Sequence, residues 1–227
     1  MAQTVNPALG GHLLAYSGVP TFMRQTPTRD LSGADVAIVG VSFDSGATSF
    51  RGGTRFGPRK IREASLALWG HHHIHGVAPT EALNIVDYGD VAIEMAYIEK
   101  TMAAITAEVG AALAQGPMVV ALGGDHSISL PLLRAQAAVH GPLALIHFDA
   151  HTDVEPGGFS SYQMFQLMRG LKGLNLVGMD IVEVSPPYDH ADVTAILAAN
   201  LVFEYLCLVA LKRGGAGAQG SGGDAGR

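Results

Sequence analysis

Apolar runs too short for helices alternate along this chain with longer stretches in which apolar residues return every three or four positions. Residues 36–41, 117–122 and 143–149 are mostly aliphatic or β-branched, the composition of parallel strands buried on both faces. Residues 83–87 and 174–182 read as two further strands, the first near an edge and the second the last in the chain. Helices are expected from Pro58, suited to a first turn, to about Trp69, and from Ser127, as a cap, to about Ala138. Another covers 94–115, with Met95, Ile98, Met102, Ile105, Val109 and Leu113 as core positions, and another 159–171. The last runs over 189–212, capped by Asp189, with Ile196, Leu197, Val202, Phe203 and Leu206 facing inward. Strand and helix in alternation predict an α/β fold, with helices on both faces of a mostly parallel sheet of about five or six strands.

The ends differ from this middle. Residues 1–33 mix Gly, Pro, Ser and Thr without a period and read as an N-terminal arm, whose Gly18–Arg24 patch is apolar enough to pack on the domain or on a neighbouring subunit. Residues 34–212 form the domain, and 213–227 a glycine-rich tail expected to be disordered. The 227 residues suit one domain, and 48% hydrophobic content fills one large core. A net charge of -6 offers nucleic acid no basic footprint, so a small-molecule partner is the expectation. The single cysteine, Cys207, permits no intrachain disulfide and points to a reducing compartment. With no leader pattern and no unbroken apolar span of about twenty residues, the chain is read as cytoplasmic, with no membrane contact.

Chemistry concentrates where apolar runs stop. The run from Leu143 ends in Asp149, His151 and Asp153 at alternate positions, which an extended chain places on one face. Mixed oxygen and nitrogen donors of this kind suit manganese, zinc or iron(II) in an open site better than a closed thiolate centre. The run ending at Leu122 meets Gly123-Gly124-Asp125-His126-Ser127, and in a parallel sheet such loops share one rim, so His126 becomes a fourth candidate ligand. By contrast, His71-His72-His73-Ile74-His75 follows a helix and lacks a partner carboxylate nearby. It reads as an exposed loop rather than a metal site.

Gly123-Gly124-Asp125-His126-Ser127 and Phe148-Asp149-Ala150-His151-Thr152-Asp153 together resemble the paired motifs of the arginase and agmatinase family of ureohydrolases. Phe56-Gly57-Pro58-Arg59-Lys60-Ile61-Arg62 looks like that family's first helix, and Gly18-Val19-Pro20-Thr21-Phe22-Met23 is similar to its agmatinase and guanidinobutyrase branch. Asp180-Ile181-Val182-Glu183-Val184-Ser185-Pro186 resembles the strand end whose glutamate faces the guanidinium.

The resemblance covers about residues 12–212 and implies a three-layer αβα arginase-like fold. It further implies manganese-dependent hydrolysis of a guanidino compound, agmatine or a guanidino acid, to urea and an amine. Two manganese ions are expected: His126 and Asp153 would bind one, His151 the other, and Asp149 would bridge them. Water acidified by the ions attacks the guanidinium carbon, Asp153 assists by hydrogen bond, and Glu183 orients the substrate. The family also implies a homo-oligomer, trimer or hexamer.

The chain departs from that pattern after Asp153. Val154-Glu155-Pro156-Gly157-Gly158 follows at once, where the family places a long segment that supplies a loop histidine, further strands and helices, and a D-x-D pair completing both metal shells; this chain contains no D-x-D. Four ligands could hold one metal or fewer. An inactive shortened homologue acting as an interaction subunit, and a mononuclear metallohydrolase, stand beside the ureohydrolase reading.

Overall fold

A computed structural model describes residues 18–46, 52–94, 96–148 and 159–219, with side chains as far as 214. Among these residues five parallel strands form one sheet in the order β1-β3-β2-β4-β5: β1 Thr26–Pro27, β2 Val36–Gly40, β3 Ile85–Asp90, β4 Met118–Leu122 and β5 Gly178–Ile181. The central strands are buried along their length because both faces are covered. Alternate residues explain how. Val36, Ile38, Val120 and Leu122 face helices α1 (Gly57–Ser65), α5 (Ser161–Gly170) and α6 (Val193–Gln219). Ala37, Val39, Val119 and Ala121 face α3 (Ile98–Leu113) and α4 (Ser129–His140). The short helix α2 (Pro79–Ala82) packs against α6. These are the three layers expected from sequence.

From Gly18 onward, where the structure describes it, the arm packs on its own domain. Phe22 is fully buried and gives its N–H to Asp87 Oδ2 at 2.8 Å, while Thr26 and Pro27 add an edge strand to β3, a position that tolerates a proline without an N–H to donate. Asp87 also takes Arg62 Nε at 2.8 Å and Nη2 at 2.9 Å, which ties α1 to β3. Helix α6 is long and apolar enough to cross a membrane by composition, yet 67% of its most apolar window lies buried inside the protein. It is a core helix of the layer on one sheet face, packed against α1, α2 and α5.

Several expectations need correction. Leu143–Phe148 joins no strand, and Leu145 and Ile146 are 57% and 50% exposed. The reason is competition for one edge: β5 pairs with β4 from Val119↔Gly178 to Leu122↔Ile181, so the segment leaving α4 is kept beyond β5 with no strand among the described residues between them to carry a ladder. Ile98 and Ile196 are exposed rather than core, and Met95 lies outside the described residues. Asp125, not Ser127, caps the turn before α4, accepting Ser127 N–H at 3.0 Å. Helix α6 continues to Gln219, past Lys212, with Arg213 paired to Asp35; residues 220–227 lie outside the described residues.

Candidate active site

Three loops leave the carboxyl ends of β2, β4 and β5 and are knitted together by close backbone approach. Asp125 N–H donates to the Phe43 carbonyl at 2.8 Å, and a Cβ on Gly124 would stand 1.7 Å from that same oxygen, so only glycine fits there. Fully buried Asp125 also takes Gly46 N–H at 2.8 Å, so it binds the β2 loop to the β4 loop. In the β2 loop, Asp44 accepts Gly53 N–H at 2.8 Å and Arg55 Nε at 2.5 Å. Burial works against its charge, but Arg55 and these N–H groups hold its carboxyl below the usual range.

On this platform His126 and Glu183 meet. Glu183 N–H donates to the Gly124 carbonyl at 2.9 Å, and its Oε1 accepts the main-chain N–H of His126 at 2.9 Å. Glu183 has φ of 63, the left-handed region that a glutamate rarely occupies, and the bond to Gly124 and the bond from His126 both hold it there. His147 stacks on His126, with ring centroids 4.7 Å apart and planes 9° from parallel. Sequence reasoning missed His147. The available signal was its period: 147, 149, 151 and 153 alternate as one series, although the first lies inside an apolar run.

Of the residues expected at the site, the structure brings together His126 and Glu183. Asp149, His151 and Asp153 lie outside the described residues. The donor set of His126, His151, Asp149 and Asp153 fits manganese in its chemistry, two neutral nitrogens and two carboxylates without a thiolate.

A second cluster lies away from this rim. His72 Nε2 and His75 Nε2 reach the two oxygens of buried Glu204 at 2.8 and 2.6 Å, and Arg169 Nε reaches Oε1 at 2.9 Å. The carboxylate that the histidine tract lacks in sequence thus comes from α6. Ligand atoms of His72, His75 and Glu204 fall within 4.8 Å of one another, a spacing a metal could use. Two facts favour an ion-pair network instead. Arg169 already answers the carboxylate's charge, and His75 N–H donates to His72 Nδ1, which leaves the His72 proton on Nε2, facing Glu204.

The arginase family profile matches residues 34–155 and 154–207. The chain belongs to the arginase family. Within it, the guanidinobutyrase of Pseudomonas aeruginosa is 30% identical over 315 residues, spanning 92% of this chain and 98% of that protein. The agmatinase of Chromobacterium violaceum is 29% identical, over 87% of this chain and 91% of that protein. A crystal structure of a hypothetical agmatinase from Burkholderia thailandensis superposes with a TM-score of 0.84 at 29% identity, covering 92% of this chain and 97% of that one. The fold extends to a formiminoglutamase of Trypanosoma cruzi crystallised with manganese, at a TM-score of 0.67 and 16% identity over 78% of this chain and 94% of that one. The two family blocks overlap at residues 154–155, and a chain of 227 residues is matched across an alignment of 315. This arginase-family chain is therefore internally shortened just after Asp153.

Proposed function

We propose that this chain is a manganese-dependent ureohydrolase that cleaves a small guanidino compound, agmatine or a guanidino acid, to urea and an amine. The reading rests on one observation above all: Glu183 and His126, from the ends of β5 and β4, are held against each other by the bond from His126 N–H to Glu183 Oε1. The names of the similar proteins, a guanidinobutyrase and an agmatinase, support the substrate class. A carboxylate at this rim suits a guanidinium, because the two planar groups form paired charge-assisted hydrogen bonds. With Oε1 anchored to His126, the carboxylate presents a fixed orientation to the incoming cation.

His126, Asp149, His151 and Asp153 would hold the metal. When bound, manganese would acidify a water and polarise the carbon–nitrogen bond. Glu183 keeps the guanidinium carbon over the rim, and Asp153 would accept a proton from the attacking water and pass it to the amine nitrogen as the carbon–nitrogen bond breaks, so that urea and the amine leave. The test is urea release from agmatine, 4-guanidinobutyrate and 3-guanidinopropionate by purified protein incubated with excess manganese. Urea from at least one of them, abolished by chelation, supports the reading. No urea from any, with metal bound, overturns it.

A further inference from the structure

The outer edge of β5 opens onto a cleft of about 420 Å3. Its walls are those of a sheet interior. Helix α4 lies toward one face, α5 and α6 lie toward the other, and Leu143–Phe148 closes the far side where the next strand would run. Register and the bond from Gly123 N–H to the Ile181 carbonyl turn the main-chain groups of Met179 and Ile181 toward β4, so those of Asp180 and Val182 face the cleft. Leu145, Ile146 and Phe148 on the far wall are 57%, 50% and 38% exposed, and Leu176 and Met179 line the near one. An edge strand with apolar flanks and unshielded main chain is a template for strand addition.

The sequence comparisons indicate what belongs there. The relatives carry an internal stretch that this chain lacks, and the two family matches meet at residues 154–155, six positions after Phe148 in the sequence. In sequence, that stretch would therefore follow closely on the wall that lines the cleft. We propose that the cleft is an acceptor slot for one β-strand, and that its occupant is a strand from that internal stretch, supplied in trans by a full-length member of the family. A second copy of this shortened chain fits less well. It lacks the same stretch, and the Leu143–Phe148 wall stands between its folded domain and β5.

This inference rests on the fold and not on turnover, so its test reads binding. Overlapping labelled peptides tiled across the internal stretch of the Pseudomonas aeruginosa guanidinobutyrase would be titrated into the full chain by fluorescence anisotropy, with hydrogen exchange followed at β5. The expected result is saturable binding of one peptide, with exchange at the Asp180 and Val182 amides slowed by at least about tenfold. Leu145→Glu, a change at an exposed position that leaves the melting temperature unaltered, should weaken that binding by about tenfold or more. Absence of saturable binding, or binding without β5 protection, would overturn the proposal. So would concentration-dependent protection of β5 in the chain alone with dimer in sedimentation, since the occupant would then be a second copy.

Discussion

Glu183 accepts the main-chain N–H of His126 at 2.9 Å across 57 positions of sequence, so the residue assigned to the substrate is anchored by a residue assigned to the metal. Glu183→Gln keeps an oxygen for that bond and removes the charge. We expect kcat/KM for urea release to fall about 10²-fold with the melting temperature unchanged. Steady-state kinetics beside thermal denaturation separates the two readouts, and equal activity of parent and variant would remove Glu183 from the site.

Metal content follows from the donor count. Two cations need more anionic charge than Asp149 and Asp153 provide, and the chain has no D-x-D pair. The expected stoichiometry after dialysis against trace manganese is about one ion per chain or fewer, measured by elemental analysis, with His126→Ala lowering it further. Two tightly held ions would show that other groups complete the shell.

Glu204 should matter to stability rather than to chemistry. Burial works against its charge, but Arg169, His75 and His72 hold its carboxyl below the usual 4.5. Because the folded-state value is depressed, the stabilisation is complete above 4.5 and is lost as pH falls through the lower folded value. Glu204→Gln should therefore cost about 3 kcal/mol at pH 7, leaving Arg169 without its countercharge. The deficit should shrink as urea denaturation is repeated at progressively lower pH below 4.5.

Gly124→Ala tests the knitting of the loops. Its Cβ would meet the Phe43 carbonyl oxygen at 1.7 Å, and backbone rather than a movable side chain must give way. A loss of about 3 kcal/mol or more is expected from chemical denaturation, where an ordinary overpacked core position costs about 1–3. A parent-like midpoint would mean that the β2 and β4 loops are not packed this closely.

Cys207 is fully buried in α6, and burial together with Glu204 pushes its thiol up to about 12. A disulfide reagent at pH 8 should label it only at the rate of unfolding. Fast labelling of the folded protein would contradict the packing of α6.

Most strands and helices, the αβα layering and the motif glycines were legible in the sequence, because each depends on local period and on backbone demands that neighbouring residues express; the two-residue strand β1 and the short helix α2 were not. Val36–Gly40 and Met118–Leu122 announced buried strands by composition alone. The residue types of the candidate metal motif were also readable, because donor chemistry is written in side chains whatever their placement. What only the tertiary structure decided was pairing. Leu143–Phe148 has the composition of a strand but lies outside the sheet, because β5 occupies the free edge of β4 and hydrogen-bond partners are assigned by the whole chain, not by the segment. His72 and His75 looked partnerless because Glu204 lies 129 and more positions away on α6, and charge complementarity across that distance leaves no trace in a local window. Only the fold brings those groups within hydrogen-bonding reach.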